Sequence, residues 1–531
     1  MPIPQPFLDE LQAVVIRALG AGATVSPSGP GRARVGPAAG GYSVLVPELV
    51  AIGGRLGALV ATDRRGLGEG LLLEALILFD TAGALVEVSE PFPGPGATLR
   101  SITARVPAAH WQEREVAEMF GLELVLHPDA GRRLLHEHTP PGDHPLLRDR
   151  DAAQRLEFAA ASPPAFRQVR GEGVHEIPVG PIHAGIIEPG HFRFFVLGER
   201  ILHLDIRLGY QHKGTEKLFE GKPLGLGVHL AERISGDTTF GHALAYCQAV
   251  ESLCKVSIPA RAVWLRALAL ELERLANHVG DLGALCGDIG YAFGASHFSR
   301  LRGEFLNKSE LVSGNRYLRG LCCLGGVRFD LEDAMARELE RWLPRVRVDF
   351  EEVADIALEA DSVAARFEGV GTLSPRAVRD LGIVGPAARA SGVALDVRAD
   401  FKCEPYRDLG FSPVLEPSGD VMSRARVRFR EAQASLEMMV RLLASMPRGA
   451  TRAPLSTPAP FAMGIGHVEG WRGEILTCAM AGPDGQLWRV RTRDPSVQNW
   501  LGLAQAVEMN LVSDFPLCNK SFNLSYSGSD L

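Results

Sequence analysis

A proline-rich polar stretch constrains the fold most, because it divides the 531 residues into two parts. It runs from His136 to about Arg167 and contains five prolines: Pro140, Pro141, Pro145, Pro163 and Pro164. Proline fixes φ and removes a backbone donor, so this composition favours an extended connector over a helix or strand. The sequence therefore predicts a domain at residues 1–150, a linker at 151–170 and a second domain at 171–531.

The first part alternates between strand-like and helix-like patterns, which predicts a small α/β domain. β-branched residues favour strands at 42–46 and 85–88. Apolar spacing favours helices at 7–19 and 108–119. Residues 91–96, Pro-Phe-Pro-Gly-Pro-Gly, predict a loop.

The second part starts with strands and then becomes mainly helical from residue 214 to about 367. The clearest amphipathic helix is 261–280, and 331–358 predicts a pair of helices with charged outer faces. Strands are predicted at 192–197, 201–206, 473–480 and 486–492. The predicted class is α+β, with the small N-terminal α/β domain joined to a larger, mainly helical domain that carries an antiparallel β portion.

Charge and hydropathy exclude several classes of protein. The net charge of −7 provides no basic surface for nucleic acid. No stretch reaches the roughly 18 apolar residues that span a bilayer, and the N-terminus lacks the pattern of a signal peptide. We therefore expect a peripheral protein on the cytoplasmic side of a membrane, held there by its partners.

The eight cysteines form no Cys-x-x-Cys motif. Cys247 and Cys254 are seven residues apart, two turns along one helix face, which is compatible with a metal-binding pair. A reducing compartment favours the other interpretation, in which the cysteines are small buried apolar residues.

The first domain contains a specific set of motifs. Residues 107–121 read PAAHWQEREVAEMFG, followed by HPD at 127–129, RRLL at 132–135 and GDHPL at 142–146. This set resembles the C subunit of NADH-quinone oxidoreductase. The resemblance implies a structural domain without a bound cofactor, whose charged helix pairs with other elements or forms a docking surface.

The second domain contains a longer series of motifs. They are VGPIH at 179–183, EPGHFRF at 188–194, RLGYQHKGTEK at 207–217, ELERLANH at 271–278 and VEGWRGE at 468–474. In this order they resemble the D subunit of complex I and the large subunit of membrane-bound, energy-converting nickel–iron hydrogenases. The resemblance implies the fold of those subunits for residues 171–531.

Hydrogenase large subunits hold nickel and iron with two Cys-x-x-Cys motifs, and this chain resembles them at 235–238 and 525–528. The four matching positions are occupied by Ser235, Thr238, Ser525 and Gly528. Hydroxyl groups ionise far less readily than thiols and are poor ligands for soft metals. We therefore expect no nickel or iron in this chain, and hydrogenase activity is disfavoured.

In complex I the corresponding pocket binds quinone. The resemblance implies Tyr210 and His191 as the catalytic residues, with His183 as the alternative histidine because the spacing differs. A phenol and an imidazole can hydrogen-bond the two quinone carbonyls and supply protons as the quinol forms. The implied binding residues are Tyr210, His191, Ser235, Asp237 and Thr238.

The resemblance also implies partners and a role. We expect an iron–sulfur protein similar to the B subunit of complex I to deliver electrons, membrane antiporter-like subunits to couple the reaction to ion movement, and quinone to be the substrate. The chain is then a peripheral-arm subunit of a complex I-like or hydrogenase-related oxidoreductase, inactive alone. The alternative is a non-catalytic scaffold or coupling subunit with a metal pocket that lacks its thiolates.

Several residues of these motifs have more than one interpretation, functional or purely structural. Tyr210 and His212 could be buried polar groups satisfied by the backbone, and His242 a packing residue. Glu216 could belong to a proton path or pair with Lys213 or Lys217. Arg274 and His278 could lie beside the partner's cluster or form an interhelical salt bridge.

Overall fold

The computed structural model describes residues 3–154, 159–160, 166–183, 187–401 and 403–531. The first domain combines a five-stranded sheet with three α-helices and a separate pair of short strands. In chain order its elements are α1 (Gln5–Leu19), β1 (Val25–Gly29), β2 (Arg32–Val35), α2 (Val46–Ala51), β3 (Arg55–Asp63), β4 (Leu71–Phe79), β5 (Ala84–Phe92), β6 (Thr98–Arg100), α3 (His110–Phe120) and β7 (Glu123–Val125).

The five-stranded sheet has the order β1-β2-β5-β4-β3, and its strands pair antiparallel except β2 with β5. Every residue of β4 is buried, because both faces of this strand are covered. One face packs into a core with α1 and α3, and the opposite face contacts Leu476 and Cys478 of the second domain. The largely apolar character of β4 thus follows from its position between the two domains.

Two predictions in the first domain are wrong. Residues 42–46 were expected to be a strand, but Gly41–Leu45 forms a π-helical turn that leads into α2. The buried Tyr42 donates its hydroxyl proton to Glu113 at 2.7 Å and its backbone N–H to Glu90 at 2.8 Å, so tertiary contacts override the β propensity. The loop expected at 91–96 begins two residues late, because β5 continues to Phe92.

The second domain contains a helical core flanked by two three-stranded antiparallel sheets. Its first half consists of β8 (Val174–Val179), β9 (His191–Leu197), β10 (Arg200–Arg207), α4 (Thr215–Phe219), α5 (Leu224–Ala231), α6 (Thr239–Leu253), α7 (Ala260–Asp288), α8 (Ala292–Ser313), β11 (Cys322–Cys323) and β12 (Gly326–Val327). Its second half consists of α9 (Asp333–Leu358), α10 (Asp361–Phe367), α11 (Pro375–Leu381), α12 (Gly385–Arg389), α13 (Val397–Asp400), α14 (Val421–Ala444), β13 (Met463–Gly470), β14 (Gly473–Ala481), β15 (Leu487–Arg493), α15 (Ser496–Ala506), α16 (Phe515–Phe522) and α17 (Tyr526–Asp530).

The predicted α+β class is confirmed, with one error in the helical part. The predicted pair of helices at 331–358 is the single helix α9, which begins at Asp333, although Pro344 lies inside it. A proline in a helix interior costs about 3 kcal/mol. The buried face of α9, which includes Trp342, Val346 and Phe350, continues on both sides of the proline and offsets that cost.

Seven of the eight cysteines are buried, including the spaced pair Cys247 and Cys254, and Cys403 is partly exposed. Cys247 of α6 and Cys254, which follows it, are both buried, and all eight thiols are unbridged. Burial raises the pKa of the Cys247 thiol, and the neighbouring Cys322 raises it further. The interpretation of these residues as small buried apolar groups is confirmed.

Helix α6 lies directly on strand β13 at two glycines. A Cβ atom added to Gly466 would overlap the carbonyl oxygen of Ala245, and one added to Gly464 would overlap that of Ala249. Because both obstacles are backbone atoms, neither can move without shifting the helix.

We expect Gly466→Ala to lower the free energy of unfolding of the second domain by at least about 3 kcal/mol, the upper end of ordinary overpacking. Urea unfolding followed by circular dichroism measures the change. The matched control is Gly303→Ala in α8, where nothing lies within 4 Å of the added Cβ, so the substitution should be neutral or stabilising. Equal stability of the two variants would contradict the close approach of α6 and β13.

Polar contacts join the two domains around the buried sheet faces. Arg55 donates to Glu474 at 3.0 and 2.8 Å, and Arg489 donates to the carbonyl of Ala61 at 3.0 Å. The division into 1–150, 151–170 and 171–531 stays a prediction, and linker residues 155–158 and 161–165 lie outside the described residues. In the described part of the chain, no helix is both long and apolar enough to cross a membrane.

Candidate functional site

Residues 235–238 and 525–528 come together, as the resemblance implies. The first segment immediately precedes α6, and Ser525 caps the N-terminus of α17 by accepting the Gly528 N–H at 2.9 Å. The hydroxyl oxygens of Ser235 and Ser525 are 2.8 Å apart and hydrogen-bonded. Thus two of the four expected positions contact each other directly across 290 residues of sequence.

Arg472 lies in the middle of this cluster, although no sequence motif assigned it a role. It sits in the turn between β13 and β14, and its two terminal nitrogens donate to the Asp237 carboxylate at 2.5 and 2.7 Å. It also donates to the Thr238 hydroxyl at 3.0 Å and to the Asn523 carbonyl. A guanidinium group therefore ties the two segments together.

Asp237 is held in its ionised form by this arrangement. Burial raises its pKa, but the adjacent Arg472 charge and hydrogen bonds from Arg472, Ser235 and Thr238 outweigh burial and bring the pKa down to about 2. The Arg472 side chain is only 4% exposed, whereas that of Asp237 is 36% exposed. The ring of Trp471 lies 4.0 Å from the guanidinium carbon and covers the pair from one side. The site is thus a fixed ion pair that reaches solvent through its carboxylate.

Tyr210 and His191, the predicted catalytic residues, lie outside this cluster. Among the described contacts, none joins either residue to Ser235, Asp237 or Thr238. Tyr210 follows Gly209, whose N–H donates to the Asp530 carboxylate at 2.8 Å. His191 begins β9, where its Nδ1 lies 3.1 Å from the Gly180 carbonyl oxygen.

Both histidine candidates have an unused ring nitrogen. The Nε2 atoms of His191 and His183 are buried, and neither has a hydrogen-bond partner among the described residues. The Tyr210 hydroxyl likewise makes no hydrogen bond within the described part of the chain, and partial burial raises its pKa. The backbone contact expected for His212 is present, since its Nδ1 lies 2.7 Å from the Asp530 carbonyl oxygen, but His212 is exposed rather than buried, and Tyr210 has no such contact.

Known proteins resemble this chain along most of its length. Family models for the 49 kDa and 30 kDa subunits of respiratory-chain NADH dehydrogenase match residues 288–463 and 58–155. Formate hydrogenlyase subunit 5 of Escherichia coli K12 is 34% identical over 501 residues, which are 91% of this chain and 87% of that protein. The chain belongs to this complex I and membrane-bound hydrogenase family.

Further members of the family show the same relationship. The D subunit of NADH-quinone oxidoreductase from Thermus thermophilus is 30% identical over 381 residues, 67% of this chain and 93% of that protein. A solved chain of the archaeal membrane-bound sulfane sulfur reductase has a TM-score of 0.64 at 24% identity, covering 68% of this chain and 99% of its own, and supports the fold alone. The predicted family is confirmed, and its members are subunits of oxidoreductase complexes.

Hydrogenase members of this family imply a nickel–iron centre, and the residues of this chain do not fit one. Hydroxyls replace thiolates at three of the positions, and they are hydrogen-bonded to one another and to the cation Arg472. At Gly528 an added Cβ would lie 2.7 Å from the Asp494 carboxylate, so the space for a fourth ligand is already filled. In the described residues, no three His, Cys, Asp or Glu side chains converge on a point that could hold a metal.

Glu216 has different partners from those expected. It pairs with neither Lys213 nor Lys217; it accepts from Arg489 at 2.7 Å and from Arg491 at 3.1 Å. Burial raises the pKa of Glu216, but the two arginines lower it by more. This acid is therefore held as a buried anion by two arginines of the single strand β15.

The histidines of the core are hydrogen-bonded rather than merely packed. His242 Nε2 lies 2.9 Å from the Asp494 carboxylate, so the packing interpretation of His242 is wrong. His278 Nε2 contacts Glu431 of α14 at 2.8 Å, which confirms an interhelical polar contact for this residue. Arg274 instead donates to the carbonyls of Glu469 and Gly470, and to a carboxylate of its own helix.

Proposed function

We propose that this chain is a peripheral-arm subunit of a membrane-bound complex I-like or hydrogenase-related oxidoreductase, and that it helps to form a quinone-reduction site beside the iron–sulfur cluster of a partner. The cluster supplies the electrons when the partner is bound. The partners are an iron–sulfur protein similar to the B subunit of complex I and antiporter-like membrane subunits, and the arm lies on the cytoplasmic side. Electron transfer to quinone is coupled to ion translocation.

The unused nitrogen of His191 carries this proposal. A buried polar atom without a partner costs about 1–3 kcal/mol, so such an atom is retained where a ligand completes its hydrogen bonding. Because the Nδ1–H of His191 is directed at the Gly180 carbonyl, its Nε2 donates only when the ring is an imidazolium. In that form, His191 Nε2–H and the Tyr210 hydroxyl can each donate a hydrogen bond to a quinone carbonyl and then give up a proton. Two electrons and these two protons convert the quinone into the quinol.

The ion pair supports quinone rather than hydrogen chemistry. Asp237, Ser235 and Thr238 hydrogen-bond to Arg472 or to each other, so their oxygen atoms are already engaged and do not form a set of metal ligands. In this proposal they keep the loop before α6 in place beside the quinone.

Tyr210→Phe should lower the rate of quinone reduction by the purified, intact complex by about 100-fold, the usual effect of removing a positioned proton donor. The assay follows quinol formation with the complex's own electron donor. Tyr291→Phe is the control, because the Tyr291 hydroxyl makes no hydrogen bond within the described residues and its ring packs beside Phe293, at 6.2 Å. An unchanged rate in Tyr210→Phe would remove Tyr210 from the mechanism.

A non-catalytic coupling subunit is the second candidate function, and the Asp237–Arg472 pair favours it. This pair occupies the polar centre of the pocket that holds metal in hydrogenases, and it needs no ligand to be satisfied. If substitutions at Tyr210 and His191 leave quinone reduction intact while Arg472 variants prevent assembly, the chain is a scaffold.

A further inference from the structure

A cavity lies between the two domains, and neither Asp237 nor Arg472 lines it. Its volume is about 490 Å³, within the range of small-molecule sites. Helix α3, residues 131–139, the end of β10 and the end of α17 surround it. Its apolar walls are formed by Trp111, Met119, Leu134, Leu135, Phe166 and Leu208.

Four arginines line this cavity, and three of them are neutralised by carboxylates. Arg132 contacts Asp205 at 2.7 Å, Arg133 contacts Glu118 at 2.8 Å, and Arg207 contacts Glu137. These three guanidinium groups are therefore already paired with an anion of the protein.

Arg114 is the exception. Its residue is only 8% exposed, and its Nε and Nη2 atoms donate to the Arg132 carbonyl at 3.2 and 3.0 Å. No carboxylate lies within ion-pair distance of this guanidinium in the part of the chain that the structure describes. Burial, and then the nearby Arg132 charge, lower the pKa of Arg114 to about 10, against the attraction of Asp129, Glu118 and Asp205. A buried cation that is not directly paired with a carboxylate is unfavourable, and an anion from outside would relieve this.

We propose that this cavity binds an amphiphile with a single anionic headgroup, a phosphate or a carboxylate, which Arg114 contacts while the apolar part lies against Trp111 and Leu134. The planar guanidinium matches the oxygens of both headgroups. An uncharged quinone ring could fill the apolar volume, but it would leave the Arg114 charge uncompensated. The three acidic residues that line the cavity already have partners. Glu115 is paired with Arg491 and Glu137 with Arg207, and the Asp530 carboxylate accepts the Gly209 and Gln211 N–H groups at 2.8 and 2.7 Å.

This inference requires neither Tyr210 nor His191, but the cavity borders both residues: its Phe166 lies 5.3 Å from the His191 ring, and its Leu208 and Gly209 directly precede Tyr210. The anion could come from a membrane lipid or from a soluble metabolite with the same chemistry. Placement between the domains indicates that the ligand would stabilise their association, because it would contact α3 of one and α17 of the other.

Calorimetric titration of the intact, delipidated complex tests the ligand class with four probes: dodecyl phosphate, inorganic phosphate, dodecanol and a decyl-substituted quinone. We expect dodecyl phosphate to bind at least tenfold more tightly than each of the other three. If inorganic phosphate binds as tightly as dodecyl phosphate, the cavity recognises only the anion. If dodecanol or the quinone binds as tightly as dodecyl phosphate, the cavity recognises only the apolar part. Either result would overturn the proposal. Mass spectrometry of the complex as purified, before delipidation, distinguishes a lipid from a soluble anion.

Variants locate the headgroup. Arg114→Met should weaken dodecyl phosphate binding by about ten- to hundredfold, the effect of losing a charged hydrogen bond, and Arg114→Lys should restore part of the affinity. Arg133→Met is the matched control, since Arg133 lines the same cavity but is paired with Glu118, and its affinity should change less than threefold. Equal losses in the Arg114→Met and Arg133→Met variants would refute the role of Arg114. If Arg114→Met does not assemble, Arg114→Lys and the probe series on the unmodified complex still decide the question.

Discussion

Arg472→Met should lower the free energy of unfolding by about 3–5 kcal/mol, the usual cost of removing one partner of a buried ion pair. The variant leaves Asp237 with hydroxyl groups only, and the Asn523 carbonyl loses its donor. Methionine retains most of the side-chain volume, so the effect reports on charge and hydrogen bonding rather than on a cavity. Chemical unfolding of the purified chain, followed by tryptophan fluorescence, measures it.

The control separates a buried pair from an exposed one. Arg376 is paired with Asp380 at 3.4 Å, but its side chain is 89% exposed, so Arg376→Met should change the free energy of unfolding by less than about 0.5 kcal/mol. In a second comparison, Asp237→Asn added to Arg472→Met should recover part of the loss, because the uncompensated charge is removed. A loss below about 1 kcal/mol for Arg472→Met would show that Arg472 does not hold the two segments together.

The sequence was sufficient to predict that residues 235–238 and 525–528 converge, because the order of motifs matches a family whose fold brings them together. It could not identify Arg472 as the group between them. Arg472 and Asp237 are 235 residues apart, and no local pattern around either residue indicates the other. Polar pairing across such separations depends on the packing of β13 against α6, which periodicity does not determine.

The same limitation explains the error at Glu216. Lys213 and Lys217 are its neighbours in sequence, and spacing alone favours them. In the fold Lys213 donates to the carbonyls of Arg233 and Ile234, and Lys217 donates to Leu147. Glu216 faces β15 instead, where two buried arginines meet it. Elements with strong periodicity, such as α7 and β9, were by contrast predicted to within a few residues at their N-terminal ends, since burial of one face determines them.

Arg389→Met should have the largest effect on stability, about 5 kcal/mol or more, and the variant chain should accumulate poorly in the cell. Arg389 is fully buried and contacts three carboxylates: Glu431 at 2.6 Å, Glu469 at 2.8 Å and Asp396 at 3.3 Å. Removing one cation therefore leaves several buried acids with too few counter-charges. The yield of soluble chain and its urea midpoint at pH 7 measure the effect.

The pH dependence of this variant identifies the cause. Burial and Asp396 already raise the pKa of Glu469 to about 7, against the attraction of Arg389, and without Arg389 this pKa must rise further. A carboxyl group whose pKa is raised in the folded state makes the fold less stable as pH rises, because its ionised form is disfavoured there. Arg389→Met should therefore be less destabilised at pH 6 than at pH 8. Arg389→Lys keeps a charge but cannot reach all three carboxylates, and its stability should lie between those of Arg389→Met and the unmodified chain. If Arg389→Met loses the same stability at both pH values, the loss comes from packing. A proton can neutralise an uncompensated carboxylate, but it cannot fill a cavity.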